Sequence, residues 1–314
     1  FQSPAERFVR QRLGALLPEP DEMHPDQLDI ALDGLAAWKI GDRYLRGFLA
    51  GTDRSVLAGA EFRRGELPPF GFGRNAFEVI EAKARAIGIA AIAHRAGRND
   101  TVDVRVRLSD GRRVYGTVSD VFGDHLVQVN YSKLGAKYRL ASWIRLLAMT
   151  AGSSAQVAGA LTIGGARGKD PGAAISRLTV PGDPCTLLEQ LVAIRDAGLR
   201  SPFWLPPDIG DEAAQSFGLI DQTGGGKPDR ALLRVQRARD FQLKDRYVSW
   251  MLYDDPGRSA SVDELVGLAG AEPLAAVDGL LPGFAAAGLN PAQIRFIGLA
   301  AAIYGPMRAG ESSK

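Results

Sequence analysis

Residues 102–108 alternate strictly between two kinds of side chain. Val102, Val104, Val106 and Leu108 are apolar, and Asp103, Arg105 and Arg107 between them are charged. Successive side chains of a strand point to opposite faces, so a period of two fits a half-buried β-strand. Asp110-Gly111 follows at once, a pair suited to the left-handed positions of a tight hairpin turn. A second strand is expected at about 112–121 and a third at about 125–131. Leu140, Ile144 and Leu147 then recur at helical spacing and predict an amphipathic helix. Two weaker strands are expected near 155–163 and 175–180.

The flanks read as helices. Ser3-Pro4-Ala5-Glu6 has the form of a capping box with proline at the first helical position. Phe8, Val9, Leu13 and Leu16 follow as an apolar stripe, which Pro18-Glu19-Pro20 ends. Residues 19–29 are acidic and expected to be exposed. A helical run carries Trp38, Leu45, Phe48 and Leu49 until Gly51-Thr52-Asp53, and a short helix follows near 54–63. Arg63 to Arg74 is expected to be an irregular loop, because its prolines and glycines break regular structure, with Asn75 capping the next helix. That helix places Phe77, Ile80, Ala84, Ile87 and Ala91 at alternating steps of three and four, the mark of one buried face. Further helices are expected at 184–197, 231–247 and about 291–304, with an extended piece at 201–207. The whole is expected to be one α/β domain over 1–314: a helical lead-in at 1–97, a mixed-sheet core with its helix at 98–182, and a mainly helical part at 183–314.

Composition narrows the function more by exclusion than by indication. Apolar residues make up 46% of the 314, and charged residues 24%, as in ordinary globular proteins. The net charge is only +2, so any nucleic-acid site must be a local basic cluster. Cys185 is the sole cysteine, which rules out an internal disulfide or a zinc site of paired cysteines, and fits a reducing cytoplasm. No run approaches the roughly 18–20 apolar residues that span a bilayer, and no signal-peptide pattern opens the chain. A start at Phe1 rather than Met leads us to expect a longer parent. His24, His94 and His125 have no metal-ligand spacing. Gly164-Gly165-Ala166-Arg167-Gly168-Lys169 is one residue short of a phosphate loop, and Asp170 stands where Ser or Thr should bind magnesium. Gly224-Gly225-Gly226-Lys227 is followed by Pro228. Both stretches are expected to be flexible loops, and neither a cofactor nor a metal is expected.

The segment from Val114 to Met149 is the most informative. A strand containing Gly116-Thr117-Val118-Ser119-Asp120-Val121 precedes a strand Val127-Gln128-Val129-Asn130-Tyr131-Ser132-Lys133, and a helix follows. This layout is similar to the nuclease fold shared by restriction endonucleases and RecB-type exonucleases. Active members of that fold carry an aspartate three residues after the glycine, and an aspartate and a lysine two apart on the next strand. The acids hold a divalent metal and the lysine assists the attacking water. The matching positions here are Ser119, Asn130 and Ser132, all neutral. Asp120 and Lys133 are one residue away, which on a strand turns a side chain to the other face unless a bulge intervenes. The expectation is a degenerate nuclease core of the PD-(D/E)xK type with no catalytic residues. Two alternatives stay open: an unrelated three-stranded sheet, and an active metal-dependent exonuclease using Asp103, Asp120, Asp124 or Lys133 in a shifted register.

With the flanks added, the chain resembles the C-terminal part of the RecC family, the gamma subunits of exodeoxyribonuclease V. Phe1-Gln2-Ser3-Pro4 with Phe8-Val9-Arg10-Gln11-Arg12-Leu13-Gly14 is similar to that family's aromatic-x-x-Pro helix ending in Arg-Leu. Leu32-Asp33-Gly34-Leu35 resembles its Leu-Asp-x-Leu. Gly65-Glu66-Leu67-Pro68 with Phe70-Gly71-Phe72-Gly73 resembles its most recognisable loop. Ala141 to Leu147 with Trp143, Ser201-Pro202-Phe203-Trp204-Leu205-Pro206 and Ile303-Tyr304-Gly305-Pro306 follow in family order. The likeness is weak over 152–182 and 254–290. It implies assembly with the RecB helicase-nuclease and the RecD helicase in the cytoplasm. It also implies action on double-stranded DNA ends and unwound single strands during break repair and recombination.

Two stretches are candidates for DNA contact. Arg63, Arg64 and Arg74 flank Phe70 and Phe72, a set able to stack on bases and hold phosphates, unless the phenylalanines plug the core. Arg230, Arg234, Arg237 and Lys244 fall in one helical stripe beside Phe241, unless that stripe is a plain solvated face. The chain is expected to be a non-catalytic scaffold that guides DNA and docks partner subunits. A pure protein-interaction module is the third reading.

Overall fold

A computed structural model describes residues 1, 3–17, 32–154, 156–168, 171–223, 246–253, 264, 268, 275–278 and 290–313, with the backbone alone for 216–223, 275–276 and 313. In chain order its helices are α1 (Pro4–Arg12), α2 (Gly34–Leu49), α3 (Arg54–Arg63), α4 (Phe70–Ile92), α5 (Ala136–Gly152), α6 (Pro184–Arg200), α7 (Pro207–Thr223), α8 (Arg246–Tyr253), α9 (Ala275–Asp278) and α10 (Pro291–Ala309). Its strands are β1 (Asn99–Arg107), β2 (Arg113–Phe122), β3 (His125–Lys133), β4 (Gly159–Gly165), β5 (Ala173–Leu178) and β6 (Glu311–Ser313). The strands form one mixed sheet in the order β1-β2-β3-β4-β5-β6. Every neighbouring pair is antiparallel except β3 with β4, which α5 joins as a parallel crossover. The α/β class and the mixed sheet between helices agree with the sequence.

The described residues form two compact units. One comprises 20–107, 113–179 and 311–314, and holds the sheet with α2 to α5. The helical stripe of α4 does what its spacing predicts: Phe77, Ile80, Ala84, Ile87 and Ala91 are all buried. They pack with Ile40, Tyr44 and Leu45 of α2 on Phe122, Val127, Tyr131, Leu161 and Ile163 of the sheet. Leu126 and Gln128 alternate with Val127 and so face the other way. Leu126 is fully buried there, and Gln128 accepts a hydrogen bond from Arg145 of α5 at 2.7 Å, so α5 covers the opposite face.

The other unit comprises 1–19, 108–112 and 180–310. Its centre is Phe203, Trp204 and Leu205 of the extended piece with Ile209 of α7 and Phe296, Leu299 and Tyr304 of α10. Trp204 stacks on Phe296 with ring centroids 6.2 Å apart. A Cβ on Gly210 would come within 2.4 Å of the Tyr304 ring, so glycine lets α7 and α10 meet closely. The Asp110-Gly111 turn belongs here. Leu108 N donates to Arg112 O and Gly111 N to Leu108 O, with Gly111 at φ 86, which makes a three-residue hairpin loop.

Several local expectations are corrected. Ser3 precedes α1 without a side-chain cap, and the helix stops at Arg12, leaving Leu13 and Leu16 exposed. The cap that α1 lacks is present at α2, where Asp33 accepts from Leu35 N and Ala36 N at 2.7 Å each. The loop expected over 63–74 ends sooner, because α4 begins at Phe70 after an extended Pro69, and Asn75 lies inside the helix. A Cβ on Gly73 would fall 2.1 Å from Pro68 O, so that glycine permits packing where it was expected to break structure. Gly164 and Gly165 are buried strand residues of β4 rather than a flexible loop. A Cβ on Gly164 would lie 2.9 Å from Ser132 O, an approach only glycine allows. The helix α7 was not anticipated. The expected helix at 231–247 lies outside the described residues up to 245, as do His24, the whole acidic stretch 19–29, and Gly224 to Lys227.

Candidate nucleic-acid interface

The three positions matched to a nuclease centre sit where β2 and β3 part. These strands pair only through Val121 with Leu126 and Phe122 with His125. Ser119 is exposed and leaves the ladder before it reaches the level of Asn130. Asn130 donates through Nδ2 to Ile163 O at 3.2 Å, while its Oδ1 is buried without a hydrogen-bond partner. Ser132 Oγ accepts from Trp38 Nε1 at 3.0 Å and from the Tyr138 hydroxyl at 2.7 Å. Each of the three is therefore committed to a different surrounding.

The displaced acids are placed by a bulge. On β1 and β2, Asp100 pairs with Val121 and Val102 with Val118, so Ser119 and Asp120 together oppose Thr101. Two residues against one define a bulge, and within it Asp120 has a left-handed φ of 63°. The simple alternation expected here is thus interrupted. Asp120 Oδ1 meets Arg95 at 3.3 Å and Asn99 at 3.5 Å. Asp124 Oδ1 lies 2.6 Å from His125 Nδ1, and Asp103 stands opposite Thr117. Among the described residues no three His, Cys, Asp or Glu side chains gather where they could hold a metal ion.

Lys133 is exposed at the far end of β3, in register with Gly165. Lys83 of α4 approaches the same glycine, and its Nζ sits 4.2 Å from the centre of the Tyr131 ring. Burial, reinforced by the nearby Lys133 charge, lowers the pKa of the Lys83 ammonium. Burial also pushes the Tyr131 hydroxyl up to about 12. This end of the sheet is cationic, whereas a metal-dependent nuclease would place carboxylates.

The second candidate is the segment before α4. Arg63, Arg64 and Arg74 are exposed, Phe70 is 94% exposed and Phe72 61%. The phenylalanines do not plug the core. Phe70 holds φ at 58°, a conformation disfavoured for any residue with a side chain. The base beneath it is rigid: Phe77 is buried against Tyr44 and Phe62, with ring centroids 5.8 and 5.2 Å away.

Carboxylates that the sequence reading passed over supply that rigidity. Glu61, buried on α3, receives Arg43 of α2 at 2.7 Å, and Arg43 also holds Glu66 of the loop at 2.7 Å. Glu81, buried on α4, accepts from Arg54 of α3 at 2.6 and 2.8 Å and from the Tyr44 hydroxyl at 2.6 Å. Arg54 above all, with Tyr44 adding to it, lowers the Glu81 pKa against the opposing effect of burial. The available signal was a charge at a position next to the α4 stripe. The third candidate, Arg230, Arg234, Arg237 and Lys244, lies outside the described residues.

A family model described as the RecC C-terminal domain matches residues 1–217. The RecBCD enzyme subunit RecC of Mycobacterium tuberculosis is 41% identical over 207 residues, which cover 66% of this chain and 19% of that protein. The RecBCD enzyme subunit RecC of Mycolicibacterium smegmatis is likewise 41% identical over 207 residues, with the same coverage of each. The matched region thus spans about a fifth of the length of these curated relatives.

Proposed function

The chain belongs to the RecC C-terminal domain family, and from that membership we propose that it is a non-catalytic part of a RecC subunit. It works within a RecBCD helicase-nuclease, in double-strand break repair and recombination in the cytoplasm. Its partners are RecB and RecD, and its substrates are duplex DNA ends and the single strands unwound from them. Its sheet is a degenerate restriction-endonuclease-like core. Support for that reading comes from three antiparallel strands followed by α5 and a parallel return strand.

One observation carries the non-catalytic assignment. Val121 opposite Leu126 puts Asp120 beside the start of β3, near Val127, whereas Lys133 pairs with Gly165, four β4 residues or roughly 13 Å beyond Leu161, the partner of Val127. Hydrolysis in this fold needs carboxylates and a lysine around one metal-bound water. Here the acid and the lysine are at opposite ends of β3, and Ser119, Asn130 and Ser132 bring no charge.

What remains is a scaffold with an aromatic and basic edge. Phe70 and Phe72 stack on bases at the point where strands separate, and Arg63, Arg64 and Arg74 hold the flanking phosphates. The test is a cleavage assay on the purified full-length protein with end-labelled duplex and single-stranded DNA in magnesium and in manganese. No cleavage is expected. Metal-dependent cutting that disappears with Asp120→Ala would overturn the assignment.

A further inference from the structure

The outer face of the β1–β2 ribbon carries three arginines, more positive charge than the one acid on it, Asp103, can answer. Directly opposite residues share a face. Arg105 lies opposite Tyr115 and Arg107 opposite Arg113, so three guanidinium groups and one phenol stand on one surface. The reverse face holds the buried Val104 and Val106. All three arginines are exposed, and Tyr115 is 82% exposed. None of α2, α3 or α4 covers this surface, because their core lies over Phe122, β3 and β4.

Neighbouring arginines show what a merely solvated face looks like. Arg98 pairs with Asp100 at 2.8 Å, Arg95 with Asp120 at 3.3 Å, and Arg112 with Asp110 at 2.7 Å. Arg105, Arg107 and Arg113 make no ion pair with a described residue. Like charges placed directly across a ladder repel, so Arg107 against Arg113 weakens the hairpin by itself. The repulsion is relieved when an anion lies along the ribbon. Residues two apart on a strand are roughly 6.8 Å from each other, and Arg113 stands across the ladder from Arg107, so the three cations and the ring make a small flat patch. A flat cluster of cations beside a bare aromatic ring fits a polyanion that also carries stacking groups.

We propose that this ribbon face, Arg105, Arg107, Arg113 and Tyr115, is a track for single-stranded nucleic acid. The arginines hold successive phosphates, and one base stacks on Tyr115. An acidic protein segment would answer the charges but would leave the ring unused. The proposal rests on the DNA-guiding role given above, yet it concerns a separate surface and has its own readout.

The experiment uses the full-length protein with a single strand substituted with 5-bromodeoxyuridine, and with the blunt duplex of the same sequence. Irradiation should crosslink the single strand to the peptide that contains Tyr115, and the duplex should give little of that product. In R105E/R107E/R113E the crosslink should vanish, and the slope of log affinity against log salt should fall by about two, at roughly 0.7 per phosphate contact on single strands. Tyr115→Leu should weaken single-strand binding about five- to 150-fold, the range for one stacked base, with the slope unchanged, and Tyr115→Phe should bind as the parent does. Crosslinks found only elsewhere, equal crosslinking of the duplex, or an unchanged salt slope would each overturn the track. Loss of subunit assembly with intact DNA binding would assign the face to an acidic protein instead. Nuclease activity uncovered in this chain would defeat the non-catalytic reading while leaving these outcomes as they are.

Discussion

Val121 lies opposite Leu126, and beyond this pair and its neighbour β2 and β3 no longer share hydrogen bonds. On the proposed reading, what keeps this sheet from being a nuclease centre is its backbone as well as its side chains. Restoring the expected residues with S119D/N130D/S132K should not restore metal-dependent cutting. Ser119 is out of the ladder, Asn130 is tied to Ile163 O, and Ser132 is held by Trp38 and Tyr138. The variant should also melt earlier. An aspartate at 130 loses a donor and faces a carbonyl, which costs on the order of 1–3 kcal/mol. Cleavage by the triple variant in magnesium would show that the strands can close into a working site.

Glu81 makes stability depend on acid. Its pKa is lowered, chiefly by the hydrogen bonds from Arg54. A carboxylate depressed in the folded state stabilises the protein above its unfolded value of about 4.3, and loses that contribution as pH falls through the lower folded value. Glu81→Gln should cost about 1–3 kcal/mol near pH 7, since Arg54 is left to water rather than buried unpaired. The difference should shrink toward zero in acid, where the native carboxyl is protonated as well. Urea unfolding followed by tryptophan fluorescence at pH 7 and near pH 3 measures both. A gap of equal size at the two pH values would show that proton linkage at Glu81 is not the cause.

The strands, the α4 stripe and the extended piece before α7 were legible because each is a local pattern. Val104 and Val106 alternate, Phe77 to Ala91 step by three and four, and each pattern survives into burial. The three failures share another cause. Glu61 and Glu81 work through arginines on other helices, and no spacing within one helix records that. The bulge at Ser119 and Asp120 adds one residue to one strand, so parity counted from Gly116 fails just where the site was expected. Phe70, Gly71, Phe72 and Gly73 read as a breaker cluster because glycine and proline are ambiguous until a neighbour such as Pro68 O is known to touch them. The strands that carry Asn130 and Ser132 were readable, but the partners of these two, Trp38, Tyr138 and Ile163, come from three other elements.

Gly41 should tolerate no side chain. A Cβ there would lie 2.2 Å from the Tyr131 ring, which is itself buried against the α2–α4 core. Ring and helix cannot both stay, so Gly41→Ala should destabilise by about 1–3 kcal/mol through overpacking. Gly34, at the start of the same helix, meets nothing within 4 Å. Gly34→Ala should be neutral or stabilise by up to about 1 kcal/mol, because alanine favours helix. Thermal midpoints of the two variants decide it. A Gly41→Ala midpoint equal to that of the parent would mean that α2 does not lie on Tyr131 this closely.

Phe70 sets stability against function at one residue. Its ring is 94% exposed, so it contributes almost no burial, and its φ of 58° is one that only glycine adopts freely. Left-handed backbone costs roughly 1–2 kcal/mol for a residue with a Cβ, and a residue kept there in exchange for no packing needs another reason to stay. Base stacking is that reason in the proposed function. Phe70→Gly should therefore raise the unfolding midpoint or leave it unchanged, while weakening the binding of forked DNA by the full-length protein. The loss should correspond to about 1–3 kcal/mol, the worth of one stacked base. Phe70→Ala should weaken binding equally and keep the backbone cost, so the two variants separate strain from stacking. A drop in midpoint comparable to a core deletion, about 3–5 kcal/mol for a phenylalanine, would show that the ring packs after all and would remove Phe70 from the interface.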